Sequence, residues 1–186
     1  MSPSTVSVSQ AARAIQQGQV LAYPTEAVWG LGCDPLNKQA VTRILDLKQR
    51  PAEKGLIIVA GTLQQLRPYL ADSLSEQECQ QLLPQAEPIT WLVPFNRHYV
   101  PEWIHGQHAL LAVRISAHPI VQQLCALAAM PIVSTSANPQ SQEAARSAEE
   151  VYNYFSDELL ICEGQCGGAT RPSRIKNLQT GITMRE

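Results

Sequence analysis

Pro131-Ile132-Val133-Ser134-Thr135-Ser136-Ala137-Asn138 is the stretch on which the fold turns. A short apolar run passes into hydroxyl and amide side chains, with no charge among them. Buried hydroxyls and amides need partners, so the polar half is not a continuation of a core. The pattern predicts a strand that ends by presenting hydroxyls to a crevice. Val20-Leu21-Ala22-Tyr23, broken by Pro24-Thr25-Glu26, has the same form. Ligands of open α/β sheets sit beyond the carboxyl ends of strands, so the two segments together predict one polar ligand pocket.

Working outward, apolar strand-like runs alternate with helical spacing. Strands are expected at Val28 to Cys33, Leu56 to Ala60, Ile89 to Phe95, Leu110 to Ile115, Leu159 to Cys162, Arg174 to Leu178 and Ile182 to Met184. Helices are expected from Ser9, read as an N-cap, to near Gly18, and after Asn37, where Ala40, Val41, Ile44, Leu45 and Leu47 recur at helical spacing. One or two more lie between Leu63 and Leu83, broken by Pro68. Another opens at His118-Pro119, and Ser147 with Glu150 forms a capping box for a last one to Phe155. Alternating strands and helices predict an α/β three-layer architecture: a twisted mixed sheet with flanking helices, an open concave pocket, and one domain over residues 1–186.

At 186 residues and a net charge of −2, the chain is no polycation, which argues against non-specific nucleic-acid binding as its main role. No apolar run is long enough to span a bilayer, no signal peptide is visible, and five scattered cysteines fit reduced thiols. A cytoplasmic location is therefore expected.

Two cationic features stand out. Lys48-Gln49-Arg50-Pro51, with Lys54 beyond, ends a helix. Such cations suit a polyphosphate, Lys as a point charge and Arg as a fork, but on sequence alone a solvated helix end that offsets the macrodipole is the favoured reading. Arg114 interrupts Leu110-Leu111-Ala112-Val113-Arg114-Ile115 and shares a strand face with Leu110 and Ala112. An arginine there needs a partner, either an internal Asp or Glu or a ligand carboxylate or phosphate. No phosphate-binding glycine loop, Gly-x-Ser-x-Gly or zinc spacing occurs. His105 and His108 read as loop histidines, and no base stands beside Ser134 or Ser136 in sequence.

Five elements in order carry a family resemblance. Tyr23-Pro24-Thr25-Glu26-Ala27-Val28-Trp29-Gly30-Leu31-Gly32, Lys48-Gln49-Arg50-Pro51, Ala112-Val113-Arg114 with His118-Pro119, Ser134-Thr135-Ser136-Ala137-Asn138 and Pro172-Ser173 resemble the motifs of the YrdC-like family. Ala27 and Trp29 stand where that family has Thr and Tyr, and Gln85-Ala86-Glu87 replaces its usual Trp-Pro-Gly.

The resemblance implies a nucleotidyltransferase that makes threonylcarbamoyl-AMP and pyrophosphate from L-threonine, bicarbonate or CO2, and ATP with Mg2+. It also implies service to threonylcarbamoyladenosine modification of tRNA, with the tRNA threonylcarbamoyl-transferase proteins as partners. On that basis Lys48 and Arg50 are the expected catalytic cations, and Thr25 and Arg114 the threonine contacts. Lys48, Arg50, Lys54, Thr90, Ser134, Ser136, Asn138 and Ser173 are the expected ATP contacts. An RNA-binding surface of Arg43, Lys48, Arg50, Lys54, Arg171, Arg174 and Lys176 and a related sugar-phosphate enzyme are the alternatives.

Overall fold

In a computed structural model that describes residues 3–185, the chain builds a ten-stranded sheet. Its strands in chain order are β1 (Thr5–Val6), β2 (Leu21–Pro24), β3 (Trp29–Gly32), β4 (Ile57–Ala60), β5 (Ile89–Val93), β6 (Leu111–Ile115), β7 (Ile132–Ser136), β8 (Leu160–Cys162), β9 (Arg174–Asn177) and β10 (Thr183–Arg185). They lie side by side as β1-β8-β2-β3-β7-β4-β6-β5-β9-β10. Parallel pairs (β1/β8, β2/β8, β4/β6, β5/β9) mix with antiparallel ones (β2/β3, β3/β7, β4/β7, β5/β6, β9/β10). The expected one-domain span takes in Met1, Ser2 and Glu186, which lie outside the described residues.

The helices are α1 (Val8–Gln16), α2 (Lys38–Lys48), α3 (Leu63–Leu66), α4 (Glu76–Gln81), α5 (Glu102–His105), α6 (Pro119–Ala128) and α7 (Ala148–Phe155). Successive strand residues alternate between two apolar cores, as a pleated strand requires. Tyr23, Val59 and Ile132 pack with α1 and α6, while Ala22, Ile58 and Val133 join the core that includes Val41 and Ile44 of α2 and Val151 of α7. The sheet is thus the middle of three layers. Trp29, Tyr23, Ile15 and Leu31 are almost wholly buried, and each such side chain contributes about 1.5–3 kcal/mol.

Several expectations hold and several need correction. The strand after Pro131 does end in hydroxyls, as expected, and it carries them within its own ladder. Ser136 pairs with Gly30, Thr135 with Leu31 and Ser134 with Ile57, so the hydroxyl run is itself β7 and its backbone is satisfied by neighbours on both sides. Helix α1 is capped by Ser7 rather than Ser9, because Gln10 returns the bond to the Ser7 amide and closes a capping box. Ser147 caps α7 through the Glu150 amide, but the Glu150 carboxylate goes to the Arg146 N–H, so the box is not reciprocal. As expected, two helices lie between Leu63 and Leu83 with Pro68 between them: it sits in a 3-10 turn after α3, and α4 begins at its own Ser75 cap. Strand β1 and helix α5 have no counterpart in the sequence reading, being too short for a periodic signal. Asn37 caps α2 and Pro119 opens α6, as expected. Among the described residues no helix is long and apolar enough to cross a membrane.

Candidate active site

Register brings the polar groups together. Val59 of β4 stands beside both Arg114 of β6 and Ile132 of β7, and cross-strand neighbours share a face. Arg114 therefore projects on the same face as Ser134 and Ser136, two and four residues past Ile132. A cavity of about 220 Å³ opens there, lined by Thr25, Glu26, Gly30, Arg50, Arg114, Ser134, Ser136, Pro172, Ser173 and Arg185 among others.

Arg114 is only 8% exposed. Its Nη1 lies 3.2 Å from Glu26 Oε2, and Ser116 Oγ donates to Glu26 Oε1 at 2.6 Å. Burial alone would push the Glu26 carboxyl up, but Arg114 and the Ser116 hydroxyl outweigh it and hold the group below its ordinary value. Arg114 thus has the internal acid that was one of its two expected partners, and it also lines the cavity. The turn carrying Glu26 is fixed by Thr25, whose Oγ1 donates to the Val28 carbonyl at 2.7 Å, and by the 163–169 segment. That segment donates from Gly167 N to Thr25 O at 3.0 Å and from Ala169 N to Glu26 O at 2.9 Å.

Arg50 follows the left-handed C-cap Gln49 of α2 and turns its Nη2 onto the carbonyls of Gly55 (2.9 Å) and Lys54 (3.3 Å). Arg185, which the sequence reading missed, arrives from β10 and donates to Ser173 O at 2.9 Å. Burial and then Arg185 lower the Arg50 pKa, and burial and then Arg114 lower that of Arg185. Three guanidiniums thus face one carboxylate. The Nε atoms of Arg50 and Arg114 are buried without a protein partner. Three guanidiniums lining one cavity favour anions there.

Other predicted residues sit behind this wall. Lys48 does not reach out. It is 5% exposed, and its amine donates to the Ser136 carbonyl, to Asn138 O at 2.8 Å and to Asn138 Oδ1 at 3.2 Å. Burial, then Arg50, brings its pKa down to about 8. Asn138 uses its amide on Pro139 O and Gln142 O, so it too is turned to its own loop. Thr90 is fully buried and bonds Ser173 Oγ at 2.8 Å, whereas Ser173 lines the cavity. The Lys54 side chain is exposed and outside the lining. Helix capping, a sheet face and a loop staple use the same residue types as ligand contacts, which is why sequence did not separate them.

Of the seven cations in the alternative RNA surface, three are paired with an acid or buried. Arg43 pairs with Glu158 at 2.7 Å, Arg174 with Glu87 at 2.9 Å, and Lys48 is buried. Among the described residues no group of three His, Cys, Asp or Glu side chains is placed to hold a metal ion, and the cavity carboxylate, Glu26, is already engaged.

Residues 13–186 match the family model of Sua5, YciO and YrdC, described as telomere recombination. The chain belongs to the Sua5/YciO/YrdC family. It is 48% identical over 188 aligned residues to the threonylcarbamoyl-AMP synthase of Acinetobacter baumannii, covering 97% of this chain and 98% of that one. It is 46% identical to the enzyme of the same name from Marinobacter nauticus, covering 99% and 97%. Its fold resembles P. abyssi Sua5 in complex with L-threonine, with a TM-score of 0.84 and 31% identity over 95% of this chain. The chain spans about half (52%) of that Sua5 chain. E. coli YciO shares the fold, with a TM-score of 0.80 and 23% identity over 96% of this chain and 88% of that one. Within the Sua5/YciO/YrdC fold, the cavity described above draws lining residues from all five motif stretches of this sequence.

Proposed function

We propose that the chain is a nucleotidyltransferase that condenses L-threonine, bicarbonate or CO2, and ATP into threonylcarbamoyl-AMP with release of pyrophosphate. The observation that carries this reading is the convergence of Arg50, Arg114 and Arg185 with Ser134 and Ser136 on one cavity. The free threonine amine bonds to the carbon of CO2 and passes one proton to water, giving a carbamate; from bicarbonate, a water leaves in place of that proton. A carbamate oxygen then bonds to the α-phosphorus while the bond to the leaving phosphate breaks, and pyrophosphate departs with that electron pair. Both partners are anions, so repulsion and alignment are the main obstacles. Fixed cations and hydroxyls at a partly buried site lower both. No covalent nucleophile is required.

In this reading Arg114, held by Glu26, grips the threonine carboxylate and Thr25 helps to place threonine. Arg50 and Arg185 hold phosphate, with Ser134, Ser136 and Ser173 as hydroxyl contacts. Lys48, Asn138 and Thr90 hold those contacts in place from behind, and Lys54 meets phosphate only from the rim. Mg2+ comes with ATP as part of the substrate. A cavity of about 220 Å³, smaller than the roughly 300–1,000 Å³ of pockets that envelop drug-sized ligands, suits threonine and the reacting phosphate while the nucleoside lies along the open side. The product serves threonylcarbamoyladenosine formation in tRNA through the transferase proteins that use it, from one catalytic domain over residues 1–186 in the cytoplasm. The names of the relatives support this reading.

The test is incubation of the purified chain with labelled bicarbonate, threonine and ATP, without RNA. Label should enter an adenylate only when all three are present. Salt-sensitive RNA binding with no labelled adenylate would favour the binding-module alternative instead.

A further inference from the structure

Behind Arg50 lies a second turn that the cavity does not include. The Arg50 guanidinium rests on the Lys54 and Gly55 carbonyls, and those carbonyls are set by the loop after α5. Leu56 N donates to Ile104 O at 2.8 Å, Gln107 N to Glu53 O at 3.3 Å, and His108 Nε2 lies 3.2 Å from Lys54 O. Two glycines with positive φ interlock the segments. Gly106 (φ +58) sits where a Cβ would meet Glu53 O at 2.5 Å and Ala52 O at 2.9 Å, and Gly55 (φ +59) where one would meet His105 O at 3.0 Å. Neither residue can carry a side chain without moving backbone. The loop is itself moored to α2. Trp103 Nε1 donates to Pro35 O at 3.1 Å, and Lys38 Nζ lies 5.5 Å from the Trp103 ring centroid.

We propose that the 104–108 loop is a positioning element for Arg50, with Gly106 and His108 as positioning residues that set nucleotide affinity without touching the ligand. The inference rests on Arg50 being a phosphate contact. A turn whose two carbonyls engage Nη2 fixes how the guanidinium enters the cavity and which of its donors face the ligand. Preorganisation of this kind alters affinity through geometry rather than through a new contact.

The experiment is a double-mutant cycle read by calorimetric binding of MgATP, so that it does not depend on turnover. Gly106→Ala and His108→Ala are made in the parent and in Arg50→Ala. His108 is exposed, so its variant stays informative if Gly106→Ala does not fold. Each is expected to weaken binding about 3- to 10-fold in the parent and less than about 1.5-fold when Arg50 is already gone, because residues acting through one group are not additive. His108→Gln, which keeps a side-chain donor for Lys54 O, should recover most of the loss. Equal losses in both backgrounds, or no loss in the parent, would overturn the positioning role. Unchanged MgATP binding in Arg50→Ala alone would instead remove Arg50 from phosphate contact, a separate failure of the functional reading.

Discussion

Lys48 and Asn138 are joined side chain to side chain, with Nζ 3.2 Å from Oδ1, and the same amine also takes the carbonyls of Asn138 and Ser136. A helix end is thereby fastened to the exit of the strand whose hydroxyls line the cavity, and Gln140 N donating to Lys48 O adds a second tie at 3.1 Å. Lys48→Met strands three acceptors and should cost about 1–3 kcal/mol of stability. The pH dependence has a definite sign. The folded pKa of about 8 lies below the ordinary 10.5, so between those values the unfolded chain holds more protons and stability from this site rises with pH. Urea unfolding at pH 7 and 9.5 should show the parent's advantage over Lys48→Met widening. A gap that narrows would contradict the buried-ammonium assignment.

Glu26→Gln tests the acid that holds Arg114. The carboxyl is held below its ordinary 4.5 despite burial, so its contribution is present above pH 4.5 and is lost as pH falls through the lower folded value. The variant should be less stable by about 1–3 kcal/mol at pH 7. It should converge on the parent as the solution is acidified. Chemical unfolding at pH 7, 5 and 3 measures the gap, and a constant gap would show that the ion pair contributes nothing.

Arg114→Ala and Arg185→Ala should separate the substrates. The first is expected to raise the threonine requirement and the second the ATP requirement, each by roughly 10- to 150-fold for one lost charged contact of about 1.5–3 kcal/mol. Michaelis constants for both substrates in both variants decide the point. Equal changes in both substrates for both variants would remove the division of labour.

Thr90→Val removes the hydroxyl that anchors Ser173 with little change of shape. Stability should drop by about 1 kcal/mol. If Thr90 acts only through Ser173, the double variant with Ser173→Ala will be no slower than Ser173→Ala alone. A further loss of turnover would give Thr90 a separate contact.

Arg114, Arg50, Thr25, Ser134 and Ser136 were legible because each interrupts an apolar or punctuated run where its type is costly without a partner. The sheet order was not legible. The parallel pairing of β5 with β9 joins residues some eighty positions apart, and nothing in either strand names its partner. Arg185 was missed for the same reason, since it lies on a three-residue strand with weak alternation and reaches the cavity only through that edge pairing. Glu26 carries no role in the sequence reading because its buried partner, Arg114, is 88 positions away. Lys48 bonds Asn138, and Thr90 bonds Ser173, across 90 and 83 positions, so neither pairing shows in the sequence and the side chains read there as ligand contacts.

A crystal structure of the chain with L-threonine and a non-hydrolysable ATP analogue tests the convergence most directly. The threonine carboxylate should lie on Arg114 and the phosphates on Arg50 and Arg185, within one cavity and within hydrogen-bond distance of Ser134 or Ser136. Threonine and nucleotide bound at separate surfaces, or phosphates held away from all three arginines, would contradict it.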